Sequence, residues 1–203
     1  MYANSRLDRL GESISINGDG TIVAIGSYYY NWSSTDNADG ATFIYKWNGN
    51  DWALMGNRID ASTTGEHFGY SVSIDSEGSK VAIGAYKYQT QVGTTRIYHW
   101  NGNDWTLIDS QIDGISDYGG SGSSVSISSN GSVVAISAPY DRDQGLNTGA
   151  TSVYNIADPN ARTTGNLYVA GDISLNSRLY IQNTDILSYI QSLESRIQTL
   201  ENP

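Results

Sequence analysis

Residues 10–30 read LGESISINGDGTIVAIGSYYY, residues 68–88 read FGYSVSIDSEGSKVAIGAYKY and residues 121–141 read SGSSVSISSNGSVVAISAPYD. Aligned on Ser13, Ser71 and Ser124, the three copies stand 58 and then 53 residues apart. A period of that length means stacked units, each too small to bury its own apolar faces. Ser-Ile-Ser-Ile and Ser-Val-Ser-Ile alternate polar and apolar residues, the two-residue period of a strand. The turns Asn17-Gly18-Asp19-Gly20, Ser76-Glu77-Gly78 and Ser129-Asn130-Gly131 follow, with glycine supplying the positive φ of a tight hairpin. The next stretch is apolar throughout, at Ile22 to Ile25, Val81 to Ile83 and Val133 to Ile136. That predicts a strand covered on both faces.

Working outward, each copy continues through a variable loop into a second matching stretch: ATFIYKWNGNDWALMG, TTRIYHWNGNDWTLID and ATSVYNIADPNAR. A third strand would carry Tyr45 and Trp47 on one face and Ile44 on the other, as Tyr98, Trp100 and Ile97 repeat and Tyr154, Ile156 and Val153 echo. The Asn-Gly of WNGNDW turns the chain into a fourth strand, Trp52 to Met55 and Trp105 to Ile108. Four antiparallel strands per unit, apolar on both faces, predict an all-β, propeller-like array of three units. Their bounds are about 10–60, 61–113 and 114–157, all within residues 1–157. The third unit lacks a fourth strand after Ile156. The N-terminal NSRLDRLGESISI resembles a shortened GNRIDASTTGEHFGYSVSI, so the chain begins partway through a unit. Three units are fewer than the four to eight of a closed propeller. The array is then the end of a longer one, or the N-terminal strand completes the last unit, or units assemble between chains. A truncated or unusual array is the preferred expectation.

The pattern SVSIxxxGSxVAIGA, followed by a strand ending Tyr-x-Trp-Asn-Gly-x-x-Trp, resembles FG-GAP-like propeller repeats, common in proteins of large algal DNA viruses and marine microbes. Phe68-Gly69 and Ala138-Pro139 stand where the name-giving motif would be, and the resemblance covers residues 10–157. It implies a propeller fold and a virion-surface or extracellular setting.

After Ala157 the character changes. Asp158-Pro159-Asn160 breaks the repeat, since Pro cannot continue a central strand. Residues 158–182 contain GNLYVAGDISLNSRLYIQ, with short strands at Leu167 to Val169 and Leu179 to Ile181. This wording is similar to the shafts of trimeric viral fibres. Residues 183–203 switch to a helical period: Ile186, Ile190, Leu193, Ile197 and Leu200 form a heptad seam, with Ile190 and Ile197 at a and the others at d. Thr184 or Asn183 is the expected cap, with Asp185 in the first turn. Ile at a with Leu at d leans to a dimer, but Arg196 to Glu201 matches the short Arg-h-x-x-h-Glu pattern of trimeric coils. Arg196 and Glu201 can pair across chains while the Arg stem covers the seam. The expectation is a homotrimer, a dimer being the lesser reading.

Composition narrows the function. The 203 residues include no Cys, so disulfides and thiolate metal sites are excluded. Twenty-one acidic against 11 basic residues give a formal charge of −10, which argues against nucleic acid or an anionic membrane as a partner. No apolar run is long enough to span a bilayer, and MYANSRLDRLGES lacks a signal-peptide core. The hairpins at Asp19, Asp75 and Glu77 lie where related repeats bind calcium, but the first and last ligand positions hold Ser and Val. They read as ordinary turns, with weak binding as the minority reading. No nucleophile elbow is present. His99 reads as solvent-facing, and His67 lies in an inter-unit loop. Asp60 and Asp113 recur at matching places and read as turn caps rather than a glycosidase pair. Neither a catalytic residue, a metal nor a cofactor is expected.

Recognition is the better prospect. The loops SYYYNWSSTDNADG, AYKYQTQVG and APYDRDQGLNTG differ in every unit, and repeat proteins place binding on such loops. Candidate contacts are Tyr30, Trp32, Tyr88, Tyr140, Asp141, Arg142 and Asp143, aromatic faces stacking on sugars or anchoring interfaces and polar groups bonding hydroxyls. Tyr28 and Tyr86 read instead as packing between units. The expectation is a non-enzymatic trimeric fibre or spike protein that attaches to a host glycan or protein. The rivals are a purely architectural virion protein contacting other virion proteins, and a microbial extracellular adhesin.

Overall fold

The computed structural model describes residues 9–31, 38–108, 111–142 and 148–156, and the backbone of two short strands beyond them. Two compact units divide the chain, Met1–Ile156 and Ala157–Pro203. In the first, each repeat is one antiparallel sheet. The first sheet comprises β1 (Ser13–Ile16), β2 (Ile22–Ser27), β3 (Ala41–Trp47), β4 (Trp52–Leu54) and β5 (Ile59–Asp60). The second comprises β6 (Ser71–Ile74), β7 (Lys80–Ala85), β8 (Thr94–Trp100), β9 (Trp105–Leu107) and β10 (Ile112–Asp113). The third comprises β11 (Ser124–Ile127), β12 (Val133–Ala138) and β13 (Ala150–Asn155). One irregular helical turn, α1 (Tyr88–Gln91), interrupts the β7–β8 loop, with Gln89 and Thr90 at positive φ.

The register repeats as the sequence alignment requires: Ser13 faces Gly26, Ser71 faces Gly84 and Ser124 faces Ser137. One expectation is corrected. The fourth strand is not continuous, and the first two sheets have five strands rather than four. Met55 N–H still donates to Ile44 O at 2.8 Å, but Gly56 then takes φ 76° and leads the chain away. It returns as β5, which pairs with the start of β3 through Ala41–Asp60 and Thr42–Ile59. β10 does the same for β8.

Each sheet is covered by its neighbour. Ile22, Ala24, Ile44, Met55 and Ile59 of the first pack on Val72, Ile74, Val81, Ile83 and Ala85 of the second, with Phe68 and Trp105 between. Ala82 and Ile97, on the opposite face of the second sheet, pack on Val125, Ile127, Val134, Ile136 and Ile156. Each such side chain contributes about 1.5–3 kcal/mol when fully buried. The inner strands are joined by serine hydroxyls. Val72 N–H donates to Ser13 Oγ at 2.9 Å, Ile74 N–H to Ser15 Oγ at 3.1 Å and Ile127 N–H to Ser73 Oγ at 3.0 Å. Ser13, Ser15 and Ser73 therefore satisfy outward N–H groups of the next unit's first strand, which no sheet partner reaches, while Ser71 Oγ donates to Gly122 O at 2.8 Å. Backbones meet where these strands begin. A Cβ on Gly26 would lie 2.0 Å from Gly69 O, and one on Gly84 2.1 Å from Gly122 O, so only glycine fits at either.

In the second compact unit the described residues are a minimal hairpin, β14 (Tyr180–Ile181) with β15 (Thr184–Asp185). This corrects the helix start expected at residues 183–185. Thr184 and Asp185 are strand rather than a helix's first turn. The seam residues Ile186, Ile190, Leu193, Arg196, Ile197, Leu200 and Glu201 lie outside the described residues.

Candidate functional site

Hairpin geometry sends the loops between second and third strands, and the connections between units, to one edge of the sheets. Parallel bridges hold them there, Gly40 to Phe68 and Gly93 to Ser121. Further backbone bonds run from Phe68 N–H to Asp39 O at 3.0 Å, from Gly120 N–H to Gln91 O at 2.8 Å and from Tyr140 N–H to Gly119 O at 3.1 Å. The first two variable loops are thus tied to the next unit's entry, and the third to the entry of its own unit.

At this edge a ring cluster surrounds His67. Its imidazole centroid lies 5.1 Å from Tyr28, 5.6 Å from Tyr29 and 5.3 Å from Tyr86. Tyr70 packs tilted against Tyr86 at 4.4 Å and meets Tyr28 edge-on at 5.2 Å. The Arg9 guanidinium lies over Tyr29 at 4.8 Å and over Tyr28, to whose hydroxyl it donates. His67 is held at φ 57°, a left-handed conformation costly for a residue with a Cβ. The matching residues in the other units share it, Arg9 at 48° and Gly120 at 66°. Burial, then the positive charges of Lys87 and Arg9, push the His67 pKa down to about 4, so the ring is neutral at pH 7. Its Nδ1 has no hydrogen-bond partner among the described residues. Burial, and then the neighbouring Tyr70 phenol, raise the pKa of Tyr86. Tyr29, Tyr70 and Tyr86 are half-buried, leaving aromatic surface at the rim.

Beneath them lies an ion pair invisible in the repeat pattern. Both Arg96 terminal nitrogens donate to Glu66, Nη1 to Oε1 and Nη2 to Oε2, each at 2.9 Å. The two side chains are only 4% and 1% exposed. The remaining valences are filled: Ser62 N–H donates to Oε1 at 2.6 Å, Arg96 Nη2 to Ser62 Oγ at 2.7 Å and Arg96 Nε to Gln111 Oε1 at 3.1 Å. Rings of Phe68 and Tyr88 lie on the guanidinium at 5.3 and 5.5 Å. A buried pair so fully bonded fixes the loop edge of the first junction.

The second junction is built differently. The places of Glu66, Phe68, Tyr88 and Arg96 are taken by Gly119, Ser121, Asp141 and Ser152. The smaller side chains leave a cavity of about 190 Å³ whose wall includes Asp113, Ser121, Asp141, Ser152 and Tyr154.

The expected contact residues that are described, Tyr30, Tyr88, Tyr140, Asp141 and Arg142, do not form one patch. Tyr30 is half-buried, edge-on to Phe43 at 5.7 Å, with Arg58 over its ring at 4.9 Å. Tyr88 covers Arg96. Tyr140 is 56% exposed and is among the phenols that raise the Tyr86 pKa. Asp141 is buried rather than presented, and accepts from Ser116 Oγ at 3.1 Å. Arg142 is exposed. Trp32 and Asp143 lie outside the described residues. Tyr28 is buried, as expected of a packing residue. Sequence reasoning passed over Arg9, His67 and Tyr70, which flank the Leu10-Gly11 and Phe68-Gly69 steps. Their signal was position, beside a glycine that must approach its neighbour's backbone.

Other residues have structural duties. Asp19 accepts from Thr21 N–H and Oγ, and Asp75 from Ser79 N–H, Ser79 Oγ and Lys80 N–H, so both tie their own hairpins. Asp60 and Asp113 sit on β5 and β10 and take bonds from Arg58 and Gln111, which corrects their reading as turn caps. His99 is half-buried opposite Lys80 rather than fully solvent-facing. Among the described residues no group of three or more His, Asp or Glu is placed to hold a metal ion.

No family model and no curated protein matches the chain. Among solved structures it is similar to one described as the complex of KlAtg21 with the coiled-coil of AgAtg16, with a TM-score of 0.51 and 13% identity. That likeness covers 71% of this chain and 39% of the other, and concerns the fold alone.

Proposed function

We propose that the chain is a non-enzymatic recognition protein, a propeller-like array whose tyrosine-rich loop edge binds a glycan or protein. The observation that carries this is the aromatic rim around His67. Tyr29, Tyr70 and Tyr86 are fixed by ring contacts and by backbone bonds between units, and Tyr140 is exposed beside them. Rigid aromatic faces lose little entropy on binding, and they suit sugar rings and apolar protein surfaces alike. The reading extends to a trimeric, fibre-like protein of a virion surface or extracellular setting, with three loop edges held together by the heptad seam of residues 186–200. Weak single contacts would then add as avidity.

A glycan array probed with the full chain, beside the Tyr140→Ala and Tyr70→Ala variants, tests the reading. Glycan signals lost in both variants, with thermal midpoints unchanged for the exposed Tyr140 position, support it. Silence of the wild-type chain on glycans and on host-surface extracts would leave the architectural reading in its place.

A further inference from the structure

We propose that the two ends of the sheet array dock on one another between chains, so that the open face of the third sheet in one copy seats against the first sheet of a second copy. This rests on the propeller-like reading but not on the recognition site or the coiled coil.

The internal junctions, made twice, show what such faces require. The apolar residues of the second unit's first strand, Val72 and Ile74, are each 6% exposed because the preceding sheet covers them, and Val125 and Ile127 in the third are each 8% exposed. Their counterparts in the first sheet, Ile14 and Ile16, are 67% and 58% exposed. Trp105 is buried and donates its indole N–H to Met55 O of the preceding unit at 2.9 Å, while its counterpart Trp52 is only half-buried. Asp104 and its counterpart Asp51 each accept from the next residue's N–H, Trp105 and Trp52, but Asp104 also accepts from the Asn57 backbone and side chain of the preceding unit.

At the other end the pattern is reversed. Ile44 and Ile97 face a following sheet and are 0% and 5% exposed, while their counterpart Val153 is 68% exposed. Ser15 and Ser73 accept N–H groups from a following first strand, and their counterpart Ser126 is exposed. β13 has only β12 as a partner among the described residues, whereas β3 and β8 are paired on both edges. One end thus lacks what the other presents: outward N–H groups and isoleucines at Ile14 and Ile16, a hydroxyl row and a valine at Ser126 and Val153.

The two faces differ from an internal junction at one position. Ser137 stands where Gly26 and Gly84 admit the next unit's carbonyl at a distance no Cβ tolerates. A joint made there sits wider than the internal ones, and that makes it reversible. The contact is heterologous, so it closes into a ring or continues as a filament. Two copies bring six sheets, within the four to eight of a closed ring. The joint therefore pairs chains, whereas a trimeric coil groups them in threes, and the two associations leave different masses.

Sedimentation of the full chain over a wide concentration range tests this, alone and as Ile14→Arg/Ile16→Arg and Ser137→Gly. Arginines at exposed positions should leave the fold intact and abolish the concentration-dependent step, leaving any coil-dependent mass in place. Ser137→Gly should shift that step to at least about fivefold lower concentration, because it removes an overpacked contact. The chain has no Cys, so mixing Ile16→Cys with Ser126→Cys copies asks which faces meet. A disulfide in the mixture and none within either single variant supports the proposal. Wild-type behaviour of both sedimentation variants would overturn it. So would crosslinking of Ile16→Cys copies to each other, or protection of the Ile16→Cys thiol at every concentration, which would mean that the chain's own residues 157–203 cover the face.

Discussion

His67 combines three unfavourable features: a left-handed backbone, a buried ring and an Nδ1 with no partner among the described residues. Its fold-wide consequence is a pH dependence whose sign follows from the depressed pKa. The folded state keeps the ring neutral down to about 4, while the unfolded chain takes up the proton near the ordinary value of 6.5. The unfolded state therefore binds more protons between those values, and stability falls as pH drops from about 6.5 towards about 4, then levels. His67→Asn keeps a side chain that tolerates positive φ and removes the titration. Urea unfolding midpoints between pH 7 and 4.5 should fall less steeply in the variant, and identical slopes would mean that the ring already takes up the proton in the folded state. At this scale the sequence was least legible. Arg96 matches Phe43 and Ser152 in the sister units, and Glu66 lies 30 residues before it. Two charged residues in separate segments look like surface until the loop that carries Glu66 folds over β8.

Strands were the most legible level, because alternation and continuous apolar runs are local and tied to burial. β1, β6 and β11 match Ser-Ile-Ser-Ile and Ser-Val-Ser-Ile residue for residue, and the Asn-Gly turns deliver β4 and β9. The break between β4 and β5 was hidden because no shared residue marks it: Gly56 in the first copy is matched by Asp109 in the second, whose β9 and β10 are separated in the same way. Also hidden was the duty of the polar half of the alternation, which reads as solvent-facing yet bonds the next sheet. That duty predicts an asymmetry between serines. Ser73→Ala strands the Ile127 N–H against the second junction and should cost about 1–3 kcal/mol. Ser129→Ala removes an exposed hydroxyl and should change stability by no more than about 0.5 kcal/mol. Thermal unfolding of the two variants side by side checks this, and equal small losses would show that water replaces the hydroxyl at the junction. Beyond β15 the heptad period of residues 186–200 leads to the expectation of a homotrimer, which lies outside the described residues.

At the scale of the molecule, the repeat count posed the problem that the two exposed ends now frame. Three sheets were readable from the 58- and 53-residue periods. The exposure of Ile14 and Ile16 was not, because they look the same in sequence as the buried Val72 and Ile74. The proposed joint between copies must also overcome the formal charge of −10 that each chain carries. Like-charged partners repel, and salt shortens the reach of that repulsion from roughly 10 Å at 0.1 M to about 3 Å at 1 M. Burial of Ile14, Ile16 and Val153 gains from sulfate, which is excluded from protein surface. Self-association should therefore strengthen as sodium chloride rises from about 0.02 to 0.5 M, the range over which screening sets in, and should strengthen further in sulfate of equal ionic strength. A joint held by ion pairs would show the opposite trend, since screening weakens attraction between exposed charges as readily as repulsion. A falling association constant with added salt would thus assign the contact to charged groups, and the isoleucine and valine faces would not be what the second copy covers.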